Sequence, residues 1–141
     1  MKFLVIDTAT STTVVHLIRG SQHWSVESKA HRRADDLLCL IDSILQERNY
    51  RLGELDGIVV RRGIGSYTGL RVGVTVANTL AWSTNLPICD VLSRRLTPLP
   101  AHYFLARRNH VRTAFKQGRG GRRPVVPIYG RWQVRRSSAT L

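Results

Sequence analysis

Two stretches of the chain carry residue types that can bind phosphate. Asp7-Thr8-Ala9-Thr10 places an acid at the end of a short apolar run, followed by a turn of small hydroxyl residues. Such a turn offers N–H and O–H donors to a phosphate, while the acid can hold a metal or a water. The plainer reading is a carboxylate that caps its own turn. The second stretch is Arg61-Arg62-Gly63-Ile64-Gly65-Ser66-Tyr67-Thr68-Gly69, a glycine-rich connection from a buried strand into a helix. It collects backbone N–H groups at the positive end of a helix, which suits an anion. The phosphate-loop-like set is therefore Asp7, Thr8, Thr10, Gly63, Gly65, Ser66 and Thr68. No Lys follows the last glycine, so this is not a Walker A loop. The glycines are spaced by one residue and then three, with no βαβ unit before them, which is not a dinucleotide fingerprint. Alternatively, the glycines serve left-handed backbone geometry and close packing.

Other chemistry is sparse. His16, His23, His31, His102 and His110 contain no pair four residues apart, which excludes a helical two-His metal site. His16 sits in a strand pattern and reads as structural. Ser66 and Thr68 have no evident His base, and Asp35, Asp36 and Asp42 read as a solvated helix face. Cys39 and Cys89 are too few and too far apart for a disulfide framework, a zinc site or a redox pair, and read as two reduced core thiols.

The elements that must position these residues follow from periodicity. Lys2–Asp7, Thr13–Ile18 and His23–Lys29 read as three strands of an antiparallel meander, with Gly20-Ser21 as a hairpin turn. Leu37, Leu38, Ile41, Ile44 and Leu45 then mark one face of an amphipathic helix, with Asp35 and Asp36 in its first turn. Gly57–Val60 is a buried strand, a second helix runs from about Gly69 to Ser83, and Pro87–Leu92 is a further strand. The order β-β-β-α-β-α-β is that of a single α/β ribonuclease-H-like lobe, the unit that actin, sugar kinases and heat-shock ATPases use twice. The expected organisation is a lobe over 1–95 and a basic, Gly/Arg-containing tail over 96–141, a remnant of a second lobe or partly disordered. Pro98 and Pro100 limit any helix in Leu92–Leu105 to a short one.

Along the second helix Gly69, Gly73, Ala77 and Ala81 recur every four residues as a ridge of small side chains. Such a ridge admits a second helix at close range. That helix is either the Leu37–Leu45 helix of the same chain or a helix of another subunit. The candidate partner surface is Leu38, Ile41 and Leu45 with Gly69, Gly73, Val76, Ala77, Leu80 and Ala81.

At 141 residues the chain is long enough for one domain with its own core. Its net charge of +13 is unevenly placed: residues 1–90 hold 10 Lys/Arg and all 9 acids, whereas 91–141 hold 12 Lys/Arg and no acid. A tail of that kind suggests contact with a polyanion such as RNA, through Arg119, Arg122, Arg123, Arg135 and Arg136; the alternative is a solvated basic tail. Neither a signal-peptide pattern nor a membrane-length apolar run is present, so the expected location is cytoplasmic, with no membrane partner.

Gly63-Ile64-Gly65-Ser66-Tyr67-Thr68-Gly69-Leu70-Arg71 resembles the Gly-Pro-Gly-Ser-Phe-Thr-Gly-Leu-Arg signature of the TsaB (YeaZ) family. Asp7-Thr8-Ala9-Thr10 is similar to that family's opening motif, and Leu37-Leu38-Cys39-Leu40-Ile41-Asp42 to its first-helix motif. The resemblance covers about residues 1–95. It implies a non-catalytic subunit that binds and activates a TsaD-type catalytic subunit in threonylcarbamoylation of adenosine in tRNA. It also implies a TsaE-type ATPase in the assembled complex, and contacts through the two helices near 34–48 and 69–83 that also permit a homodimer. Ile64 stands where the family has Pro, and Arg33-Ala34 where it has His-Ser. The second lobe has almost no counterpart beyond Pro127-Ile128-Tyr129-Gly130-Arg131. A nucleotide cleft needs both lobes, so the expected cofactor is none, with ATP and magnesium entering only at the level of the complex. Two alternatives remain: an RNA-binding accessory acting through the Arg-rich tail, and a nucleotide-binding actin-like ATPase fragment.

Overall fold

A computed structural model describes residues 1–29, 34–116 and 124–125. Five strands form one sheet: β1 (Lys2–Asp7), β2 (Thr13–Arg19), β3 (Gln22–Ser28), β4 (Gly57–Gly63) and β5 (Ile88–Ser93), in the order β3-β2-β1-β4-β5. β1, β2 and β3 pair antiparallel, and β4 and β5 add parallel to β1. Parallel pairing needs crossovers, and these are α1 (Ala34–Glu47), which leads through a short 3-10 turn into β4, and α2 (Tyr67–Thr84) between β4 and β5.

Strand alternation divides the core into two layers. Leu4 and Ile6 of β1 face one way, with Val60 of β4, and meet Leu37, Ile41, Ile44 and Leu45 of α1 and Val74, Ala77 and Ala81 of α2. Phe3 and Val5 face the other way with Val59, Cys89 and Val91, and are covered by Leu99, Phe104 and Val111. Phe104 belongs to α3 (Ala101–Ala106) and Val111 to α4 (Arg108–Lys116).

Packing therefore does not stop at residue 95: the second face of the sheet would be bare without residues 99–116. Helix α4 escapes a sequence reading because Val111, Ala114 and Phe115 are its only apolar residues, set among charges. β4 also runs past the expected Val60, since Arg61 continues the strand as a fully buried residue. Cys89 is in the core as expected, but Cys39 is exposed on the outer side of α1. The last described residues are held by Asn78, whose side-chain amide donates to the Val125 carbonyl and accepts its N–H, both at 2.8 Å. The expected tail contacts Arg119, Arg122, Arg123, Arg135 and Arg136, and the segment Pro127–Arg131, lie outside the described residues. Among the described residues no helix is long and apolar enough to cross a membrane.

Candidate functional site

The two phosphate-loop-like motifs converge where the C-terminal ends of β1 and β4 meet the start of α2. Asp7 ends β1 and Arg61 lies in β4, and both side chains are 0% exposed. Arg61 Nη1 donates to Asp7 Oδ2 at 3.0 Å and Oδ1 at 3.2 Å, and to the Thr97 carbonyl at 2.9 Å. Its Nη2 donates to the Arg95 carbonyl. Asp7 also accepts the backbone N–H of Leu99 at 2.8 Å and of Ala9 at 3.2 Å. The acid thus carries four hydrogen bonds from its own chain, and the segment after β5 is laid across it. Buried charges persist in proteins when paired and hydrogen-bonded in this way.

Several further donors of the two motifs are also engaged within the chain. Thr8 Oγ1 donates to the Gly69 carbonyl at 2.5 Å, and Thr10 Oγ1 donates to the Thr12 carbonyl at 3.0 Å. In the glycine loop the Ile64 N–H donates to the Ser93 carbonyl at 3.1 Å and the Ser66 N–H to the Ala9 carbonyl at 2.7 Å. Ser66 is the N-cap of α2: its hydroxyl accepts the Gly69 N–H at 3.1 Å. A serine N-cap satisfies one of the orphan donors of a helix start. Thr68 is exposed in the first turn.

The glycines have steric roles. Gly63 has φ +116°, a conformation that L side chains rarely adopt, beside the Ser93 carbonyl. A Cβ on Gly69 would run into the Thr8 carbonyl, and one on Gly73 into Thr8 Oγ1. The first turns of α2 therefore lie against the turn after β1. This corrects one expectation. The ridge Gly69, Gly73, Ala77 and Ala81 is buried inside the chain, Gly69 and Gly73 against Thr8, and does not face outward. Ile41, Leu45 and Val76 are likewise core residues, which leaves Leu38, 43% exposed, and the half-buried Leu80 from the expected partner set. Periodicity identifies a helix's apolar residues, but which of them the sheet covers depends on the packing angle. The large exposed apolar residues of α2 are Tyr67 and Trp82, the latter 86% exposed, and neither lies on the ridge that the sequence reading singled out.

His16 on β2 closes the other side of the site. Its Nδ1 lies 2.9 Å from Ser25 Oγ and its Nε2 3.0 Å from the Leu99 carbonyl. Burial lowers its pKa below the ordinary value, against the opposing pull of the Leu99 carbonyl and the Asp7 charge. The tautomer with the proton on Nε2 donates to Leu99, so His16 and Asp7 grip the two backbone polar groups of that residue.

Comparison with known proteins agrees with this geometry. A sequence profile of the family described as "TsaD: tRNA N6-adenosine threonylcarbamoyltransferase" matches residues 10–101. The tRNA threonylcarbamoyladenosine biosynthesis protein TsaB of Bacillus subtilis is 36% identical over 134 residues, covering 86% of this chain and 57% of that protein. TsaB of Haemophilus influenzae is 32% identical over 92 residues, covering 64% of this chain and 39% of that protein. The structure of YeaZ from Pseudomonas aeruginosa superposes with a TM-score of 0.61 at 29% identity, covering 64% of this chain and 43% of that one. The chain thus spans about half the length of these relatives or less, and its sheet and flanking helices are those of an actin-like, ribonuclease-H-like lobe. With a profile match over most of its length and TsaB proteins among its relatives, the chain belongs to the TsaD family of tRNA threonylcarbamoyladenosine biosynthesis proteins, on its TsaB (YeaZ) side.

Proposed function

We propose that the chain is a non-catalytic, TsaB-like subunit that binds and activates a TsaD-type catalytic subunit for threonylcarbamoylation of adenosine in tRNA. The observation that carries this reading is the outer surface of the α1–α2 layer. Helices α1 and α2 cover one face of the sheet side by side, and their outer sides carry Leu38, Tyr67 and Trp82 exposed. Aromatic residues are enriched at the anchor points of protein interfaces, and Trp most of all. The acid and hydroxyls at the end of β1, in contrast, are engaged within the chain, which favours docking over chemistry at that point. On this reading the complex acts in the cytoplasm, a TsaE-type ATPase joins it, and the same helical surface also supports a homodimer. The chain needs no cofactor of its own; ATP and magnesium belong to the complex.

Co-purification with the TsaD-type subunit of the same organism tests the proposal. The expected result is a complex that Leu38→Asp or Trp82→Ala weakens at least tenfold while the melting temperature stays unchanged. A dissociation constant weaker than about 100 μM for the unaltered chain refutes it.

A further inference from the structure

Helix α4 lies on the opposite face of the sheet from α1 and α2, and the function proposed above makes no use of it. Its inward side is set by Val111, fully buried, and by Phe115, whose ring occupies the space over Gly57 and meets Phe3 edge-on at 6.4 Å between centroids. Beside that inward side, along one flank of the helix, run Arg108, Arg112 and Lys116, each exposed and one turn from the next. At 1.5 Å per residue the row is about 12 Å long.

All 9 acids lie before residue 91, and among the described residues no carboxylate is within ion-pair distance of Arg108, Arg112 or Lys116. Asp56 lines the same shallow depression as Arg112 and Lys116 without pairing with either, and its carboxylate accepts the Lys2 backbone N–H. Like charges four residues apart destabilise a helix, and Arg108 in the first turn opposes the helix dipole. A bound polyanion removes both penalties.

We propose that this face of α4 binds the phosphate backbone of RNA through Arg108, Arg112 and Lys116. RNA is preferred to a lipid surface because α4 has no exposed apolar side chain to enter a bilayer, its apolar residues being turned to the sheet. A row of this length spans a few consecutive phosphates of one strand. The exposed side offers no Phe, Tyr or Trp for stacking, so the contact reads charge and shape rather than bases. That the RNA is a tRNA rests on the function proposed above; the phosphate contact does not.

The test is fluorescence anisotropy of a labelled tRNA transcript with the full chain across a salt series. Arg108→Gln/Arg112→Gln/Lys116→Gln should lose at least about tenfold in affinity and flatten the log K against log salt slope by about 2 to 3. The variant Arg108→Lys/Arg112→Lys should keep both, and melting without RNA should be unchanged in each. A triple variant with the wild-type slope overturns the proposal. Equal binding of the wild-type chain to vesicles of anionic phosphatidylglycerol, or no RNA binding at low salt, overturns it as well. Because α4 is remote from the α1–α2 surface, the triple variant should still pair with the TsaD-type subunit. Failure of that pairing in the wild-type chain counts against the docking reading alone, and loss of it only in the triple variant counts against the separate RNA surface.

Discussion

Arg61 and Asp7, residues of two neighbouring parallel strands, form an ion pair with 3.0 Å between Nη1 and Oδ2 and no solvent contact for either side chain. The arginine also holds the Arg95 and Thr97 carbonyls, so one guanidinium binds the end of β1 to the segment that follows β5. Removing one partner strands the other charge in the core. Asp7→Asn should therefore cost about 3–5 kcal/mol in urea unfolding, with Asp7→Asn/Arg61→Met recovering much of the loss. A cost below about 1 kcal/mol for the single variant would show that water reaches the pair. With the acid so engaged, ATP with magnesium should leave the melting temperature of the chain unchanged; a ligand-dependent rise would favour the actin-like ATPase reading.

Gly73 tests the corrected role of the small-residue ridge. Helix propensity alone predicts that Gly73→Ala stabilises by about 1 kcal/mol. The new Cβ instead meets Thr8 Oγ1, so a net loss of about 1–3 kcal/mol is expected from overpacking. Thr8→Ala in the same chain relieves the clash, so the double variant should be more stable than the sum of the single effects predicts. Strict additivity would place Gly73 away from Thr8.

His16 confers a pH dependence whose sign follows from its burial. Its pKa is lowered in the folded state, chiefly by desolvation, so the unfolded chain takes up a proton first as pH falls. Well above the unfolded value of about 6.5 both states are neutral and His16 adds no pH dependence. Below that value stability should decline until the folded state also protonates. Urea midpoints from pH 7.5 to 5 should show this decline, and His16→Gln should flatten it.

The two cysteines should differ in reactivity. Burial, aided by the charge of Asp90, pushes the Cys89 thiol up to about 12, whereas Cys39 is exposed. A thiolate-specific reagent at pH 8 should titrate one thiol in the native chain and two after denaturation. Two fast thiols in the native state would contradict the packing around β5.

Much of this molecule was legible as pattern. The three opening strands, the two crossover helices and the strands between them follow from period and turn chemistry, because a sheet with helices on its face imposes those periods on sequence. Helix α4 was not legible, since three apolar residues among charges carry little periodicity. Nor was the burial of Arg61, because nothing local to an Arg-Arg pair says that an acid 54 residues earlier awaits it.

By itself the sequence determined the lobe's order of elements, the presence and spacing of the Asp7 and Gly63–Gly69 motifs, and the separation of a nearly neutral body from a basic end. Those are properties of composition and spacing, which act along the chain. Tertiary structure alone decided that the glycines of α2 face Thr8, that Trp82 and Leu38 face outward, and that residues 99–116 cover the second side of the sheet. Each depends on which atoms approach one another across long stretches of sequence, and side-chain burial is set by that approach rather than by residue type.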